Sequence, residues 1–226
     1  MRPVAFVTGA SRGIGAAIAK ALAADHDLAL TSTARGGAKA TAKVCRQLGA
    51  EVLELQHDAA SRKDADRIVK AVDQAFGRVD VLVNNAGIVV RKPTVKMSDD
   101  DFDRVVAVNL SGPFYLVRRL LPGMIARGQG RVINVSSISA TLGSAGATGY
   151  CASKWGLDGL TRALAEELRG TGVLALSVLP GSVATDMLEG SGFQPRMTAD
   201  EVAGVVRYLA TQAPAAMQGS RVEVFG

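Results

Sequence analysis

The sequence predicts an α/β protein, with about seven strands in a mostly parallel, doubly wound sheet and helices on both faces. Three observations carry this expectation. Short β-branched or aliphatic runs alternate along the chain with Ala-rich stretches of helical length, the pattern of right-handed strand–helix–strand crossovers. Hydrophobic residues make up 48% of the 226 residues but aromatics only 4%. The core must therefore be aliphatic, as in helices packed closely on a Val/Ile/Leu sheet. A glycine-rich segment, VTGASRGIG, joins the first apolar run to the first helical stretch.

The elements follow in order. VAFVT (4–8) leads to a helix near Ile14–Ala24, and LALTS (28–32) to one near Gly37–Leu48. EVLELQ (51–56) leads to a helix near Lys63–Phe76, and VDVLVNN (79–85) to a long one near Asp99–Ala126. GRVINVSS (130–137) leads to a helix near Gly149–Arg169. VLALSVLP (173–180) gives way to a loop and a helix near Ala199–Ala210, and RVEVF (221–225) is the last strand. Ser61, Ser98 and Thr198 each precede an acid by three residues, the signature of a capped helix start. No repeat, low-complexity tract or linker divides the chain, so residues 1–226 read as one domain. The Gly/Ser-rich connection MLEGSGFQPRM beyond the sixth strand predicts a short substrate lid near residues 186–198.

Composition excludes several classes. The net charge is +5, but the basic residues are scattered, with no run longer than Arg118–Arg119. No aromatic–basic motif or zinc-ligand spacing is present, which argues against nucleic acid and metal. Cys45 and Cys151 are far apart and form no paired motif, as expected for reduced intracellular thiols. Cys151 sits beside Tyr150, yet a small buried residue is the plainer reading. The apolar run at the N-terminus is too short for a signal peptide or a membrane span. The expectation is a soluble cytoplasmic protein.

The glycines Gly9, Gly13 and Gly15 permit a tight turn and a close backbone approach to a pyrophosphate, which the N–H groups opening the next helix attract. Any strand-to-helix turn favours glycine, so the loop gains weight only from its context. Tyr150 and Lys154, four residues apart, share one helix face. A free phenol with a pKa of about 10 is a poor base, and a nearby ammonium favours its ionised form. The pair taken by itself reads more readily as two ordinary helix neighbours.

These segments together resemble the short-chain dehydrogenase/reductase family. VTGASRGIG is similar to its T-G-x-x-x-G-x-G. NNAG (84–87), Asn109 in VNLSGPF, Ser137 in NVSSIS, YCASK (150–154), PGSVAT (180–185) and Asp58 in HDAAS fall where that family places its motifs. The match runs from Val4 to Gly226, and in overall texture the chain most resembles the bacterial 3-oxoacyl-[acyl-carrier-protein] reductases. A shorter lid and a clipped C-terminus depart from the pattern and bear on substrate choice.

The resemblance implies a Rossmann-type fold and hydride transfer between a nicotinamide and a carbonyl or alcohol. Tyr150 is then the general acid/base, and Ser137 holds the same oxygen. Lys154 lowers the phenol pKa and grips the ribose, and Asn109 positions a relay water. Ser136 rivals Ser137, since adjacent strand residues face opposite sides and alternation does not say which is which. Asn109 also reads as a polar interruption of a long helix.

The implied cofactor contacts are Gly9, Ser11, Arg12, Gly13, Ile14, Gly15, Arg35, Asp58, Ala59, Asn85, Ala86, Gly87, Tyr150, Lys154, Pro180, Gly181, Val183 and Thr185. No Asp or Glu occurs between Leu28 and Glu51, where an NAD-preferring enzyme places an acid for the ribose hydroxyl. Arg12 and Arg35 suit a 2′-phosphate instead, so NADP(H) is expected. A small carbonyl or alcohol is the substrate class, with an acyl-carrier-protein or CoA thioester the leading choice. The apolar faces of the helices carrying Asn109 and Tyr150 suggest a homotetramer or homodimer. A non-catalytic nucleotide sensor on the same fold is the alternative, and a methyltransferase is a third reading that has no need of YCASK.

Overall fold

A computed structural model describes residues 2–226. Seven strands run in chain order: β1 (Val4–Val7), β2 (Asp27–Ser32), β3 (Val52–Gln56), β4 (Val81–Asn84), β5 (Gly130–Val135), β6 (Val173–Pro180) and β7 (Arg221–Val224). They form one sheet in the order β3-β2-β1-β4-β5-β6-β7. Every neighbouring pair is parallel, as crossover helices require. The sheet reverses its winding between β1 and β4, and the crevice outside the strand ends at that point is where α/β sheets take their ligands.

The helices are α1 (Gly13–Leu22), α2 (Lys39–Gln47), α3 (Arg62–Phe76), α4 (Asp99–Val106), α5 (Gly112–Ala126), α6 (Thr148–Glu167) and α7 (Ala199–Thr211). Alternation along β1 shows how the layers are built. Ala5 and Val7 enter one apolar layer with Ile18, Leu22 and Val206, and Phe6 enters the other with Ile68, Leu116 and Leu164. Phe6 is the one aromatic among the largest fully buried side chains, in keeping with an aliphatic core. At Ser98 and Thr198 the expected capping boxes form in full. Ser61 also caps α3, but Asp64 turns its carboxylate to the Asp58 N–H instead of back to the cap.

The long helix expected over Asp99–Ala126 is interrupted. Between α4 and α5, residues Ala107–Ser111 form one π turn. Such a turn adds a residue to the helix and rotates the turns beyond it, often at a functional site. Here it turns Asn109 fully inward. Immediately after the π turn, a Cβ on Gly112 would lie 2.5 Å from the Ala59 carbonyl, so only glycine lets the helix approach the β3–α3 loop this closely. Among the described residues no helix is long and apolar enough to cross a membrane.

Candidate active site

An open cleft of ≈ 1670 Å³ runs along the carboxyl edge of the sheet, large enough for a dinucleotide and a substrate together. Its floor is the loop from β1 to α1. Gly9 and Gly13 have φ of +67° and +56°, a region other residues rarely enter. A Cβ on Gly15 would sit 2.2 Å from the Gly9 carbonyl oxygen. The N-cap of α1, Arg12, makes no side-chain cap bond, and no acid occupies the first turn. The first N–H groups of α1 thus have no side chain competing with an anion.

Thr8 and Asn85 lock this loop to the next one. The Thr8 hydroxyl accepts from the Asn85 and Ala86 N–H groups, each at 3.0 Å. The Asn85 amide donates to the Thr8 and Gly9 carbonyls at 2.9 and 3.2 Å. Ser11, Ile14, Ala59, Ala86, Pro180, Gly181 and Val183 line the same cleft. Thr185 stands opposite the glycine loop, 3.2 Å from where a Cβ on Gly13 would be.

The charged candidates are placed less uniformly. Asp58 lines the cleft but is paired with Arg104 at 3.0 Å, and that hydrogen bond holds its carboxyl below the usual range. Arg12 reaches across to Asp186 at 2.9 Å. Arg35 does not line the cleft and, among the described residues, has no ion pair.

At the other end, Tyr150, Lys154 and Ser137 meet. Tyr150 and Lys154 lie on α6, and the Lys154 ammonium is 5.8 Å from the centre of the Tyr150 ring. Lys154 is buried and donates to the Val135 carbonyl at 2.8 Å. Ser137, just past β5, lies beside the Tyr150 phenol and favours its ionised form, and it accepts from the Ser139 N–H at 3.1 Å. Ser136 turns away and donates to the Lys154 carbonyl at 3.3 Å. Of the two serines, Ser137 is thus the one facing Tyr150.

Asn109 lies behind the cleft wall rather than on it. Its Oδ1 accepts from the Ile88 N–H at 2.8 Å, and its Nδ2 donates to the Ile88 carbonyl at 2.9 Å and to Ser153 Oγ at 3.0 Å. Ser153 Oγ in turn donates to the Tyr150 carbonyl at 2.7 Å. The side chain thereby ties the loop after β4 to α6. Both N–H groups of its amide are engaged, and its Oδ1, which accepts one bond, keeps a second lone pair.

The electrostatics differ from the simple ammonium–phenol picture. Burial pushes the Tyr150 phenol above its ordinary value, opposed by the Ser137 hydroxyl and the charge of Arg91. Burial also lowers the Lys154 ammonium to about 8, opposed by Asp158. Loss of water acts on both groups toward their neutral forms. The phenol is thereby held protonated, an acid positioned to donate.

Arg91 carried no signal strong enough to mark it from sequence, since a lone loop arginine is common, whereas Thr8 is the threonine of the glycine-loop motif, where the glycines drew the reading. Arg91 donates to the Met187 carbonyl at 3.0 Å, on the turn Asp186–Leu188. The segment from Ala184 to Met197 is closed at its base by the Val183–Met197 bridge and the Ala184 N–H to Met197 carbonyl bond at 2.9 Å. Arg12 and Arg91 thus hold adjacent residues of one loop from the two sides of the cleft.

A parallel sheet wound about a glycine loop, with Tyr and Lys one helical turn apart at its carboxyl edge, defines a nucleotide-dependent oxidoreductase of the Rossmann class. The chain belongs to the short chain dehydrogenase family, whose model matches residues 3–194. It is 37% identical over 224 residues to the 3-oxoacyl-[acyl-carrier-protein] reductase of Synechocystis sp., a match covering 94% of this chain and 91% of the relative. In structure it is similar to levodione reductase (TM-score 0.92, 30% identity), over 98% of this chain and 95% of the other. It is similar also to acetoin dehydrogenase from Salmonella typhimurium (TM-score 0.91, 30% identity), over 100% and 95%.

Proposed function

We propose that the protein is an NADP(H)-dependent carbonyl reductase, with a 3-oxoacyl thioester as its substrate. The observation that carries this is the convergence of Ser137 and Lys154 on the half-buried Tyr150 at the carboxyl edge of the sheet. A nucleotide sensor on the same fold has no use for a phenol positioned in this way. The thioester reading is supported by the named activity of the Synechocystis relative. The levodione and acetoin enzymes show how far substrates diverge on this backbone.

The cradle fits a pyrophosphate: uncapped helical N–H groups, no first-turn acid, and glycines where a Cβ would collide. Ser11, Arg12, Gly13 and Ile14 would hold the phosphates, with Asp58 and Ala59 at the adenine. Asn85, Ala86 and Gly87 would meet the sugars, and Pro180, Gly181, Val183 and Thr185 would meet the nicotinamide. When bound, the nicotinamide supplies the hydride.

Tyr150 Oη delivers a proton to the carbonyl oxygen as it gains charge, and takes one back when an alcohol is oxidised. Ser137 Oγ hydrogen-bonds the same oxygen. Lys154 holds the ribose hydroxyls and supplies the positive charge that stabilises the phenolate left behind. Asn109 keeps the β4 loop and α6 in register. Arg12 would hold a 2′-phosphate by exchanging Asp186 for it, and Arg35, which lies outside the cleft, would have to swing in to serve as the second cation.

The chain acts as one domain, with residues 186–198 as a lid over the substrate. Phe102, Phe114 and Trp155 are exposed on α4, α5 and α6, which supports pairing of these helices in a homodimer or homotetramer. A cytoplasmic setting suits the two free cysteines. The test is a panel of ketones and acetoacetyl thioesters run with NADPH and with NADH. Turnover should appear with NADPH and fall 10²–10⁴-fold in Tyr150→Phe, while NADPH binding persists. Undiminished turnover in Tyr150→Phe would reject the mechanism.

A further inference from the structure

The loop after Ser137 is held in an unusual way. It begins with the turn Ile138–Ala140 and ends where α6 starts at Thr148. Among the described residues, and apart from local bonds within 137–147, the hydrogen bonds on residues 138–145 come only from β7. Arg221 Nη2 donates to Thr141 Oγ1 at 2.6 Å and to the Ala140 carbonyl at 3.3 Å. Glu223 accepts from Thr141 Oγ1 at 3.1 Å.

The same guanidinium reaches the catalytic helix. Arg221 Nε donates to Asp158 Oδ2 at 2.6 Å, and the side chains are 23% and 7% exposed. Asp158 is one turn beyond Lys154 and two beyond Tyr150, so all three share one face of α6. Arg221 is itself fixed in the sheet, directly opposite Ser177 on β6. A largely buried ion pair contributes little net stability, because desolvating two charges offsets their attraction. Apolar side chains would fill the same space at no such cost. What they would lack is the directional fork that ties two elements to a third.

We propose that Arg221, anchored on Asp158, is a positioning residue that clamps the Ser137 loop to α6 and so sets Ser137 against Tyr150. This rests on the reaction proposed above, and it gives the last strand a role in catalysis. Ser137 is four residues from Thr141, so a loosened clamp lets its hydroxyl drift from the phenol. A displacement of about 1 Å at a reacting group costs up to roughly 10²-fold in rate.

The test compares Arg221→Met, Arg221→Lys, Thr141→Val and the double variant Arg221→Met/Asp158→Asn. Melting temperature, kcat, KM for the nicotinamide nucleotide and the titration of Tyr150 are measured for each. Tyr150 is followed by ¹³C-tyrosine NMR, which is tractable because the chain has three tyrosines. The charged groups facing Tyr150 are Lys154 on its own helix and Arg91 from the β4 loop, with Cys151 alongside. None of these is altered.

Arg221→Met should lower kcat by roughly tenfold or more and leave the nucleotide KM unchanged. Tyr150 should titrate higher, since the Ser137 hydroxyl opposes the effect of burial. Arg221→Lys should recover part of kcat, and Thr141→Val should lose part of it. In the double variant the unpaired carboxylate is gone, so the melting temperature should recover while kcat stays low.

Recovery of kcat in the double variant would overturn the clamp, leaving Arg221 as a counter-charge for Asp158. So would kcat and a Tyr150 titration that Arg221→Met leaves at wild-type values. A wild-type chain that reduces no ketone with either nucleotide would reject the proposed reaction instead, and the Tyr150 titration alone would then decide the clamp.

Discussion

Replacing Asn109 with Ala should damage the protein's stability and its chemistry together. The substitution removes the acceptor for the Ile88 N–H and the donors to the Ile88 carbonyl and Ser153 Oγ. Asn109 is 0% exposed, so bulk water does not reach the groups left behind. At about 1 kcal/mol for each hydrogen bond lost, the three together are worth about 3 kcal/mol, and the space vacated adds to that. In a domain of this size 1 kcal/mol moves the melting temperature by about 2–4 °C, so a fall of roughly 6–12 °C is expected. Turnover should fall as well, because Ile88 comes directly after Gly87. A Cβ on Gly87 would stand 3.3 Å from Asn109 Oδ1 and 3.6 Å from Lys154 Nζ, so the three move as a unit. Scanning calorimetry of wild type, Asn109→Ala and Asn109→Asp gives the answer. A melting temperature for Asn109→Ala within about 2 °C of wild type would refute the reasoning.

The same geometry predicts other outcomes. Folded Lys154 titrates at about 8, below its ordinary 10.5. Between those values the unfolded chain holds a proton that the folded chain has released, so this group makes stability rise with pH there. Urea midpoints at about pH 7.5 and about pH 9.5 should show that rise shrinking in Lys154→Met; an unchanged rise would locate it elsewhere. Freeing Arg12 by Asp186→Asn should tighten NADPH binding relative to NADH, and Arg12→Ala should weaken it by roughly tenfold. Fluorescence titration reads both, and a ratio that neither change moves would remove Arg12 from 2′-phosphate recognition. Cys151→Ala should keep most activity, since its side chain points about 100° from the Tyr150 face of α6; a loss of a hundredfold would assign the thiol a role. Light scattering at micromolar concentration should give a multiple of the 23.4 kDa chain mass, and a monomer would contradict helix pairing.

Much of the molecule is legible in the sequence alone, and for a local reason. Strand and helix periods, the capping boxes at Ser98 and Thr198, the glycine loop and the one-turn spacing of Tyr150 and Lys154 are each set within a few residues. All seven strands lie where the apolar runs stand, and the helix ends agree to within two residues. The family could be recognised because these short motifs keep their order along the chain. The tertiary structure decided what depends on partners far apart in sequence. It chose Ser137 over Ser136, because only packing says which face of β5 meets α6. It placed the π turn at Asn109, whose bonds to Ile88 and Ser153 span 21 and 44 residues. It paired Arg12 with Asp186, left Arg35 outside the cleft, and joined Arg221 to Asp158 across 63 residues. It also raised Tyr150 where the nearby ammonium alone would have lowered it, because desolvation is set by everything that surrounds a group and not by its neighbours in the chain.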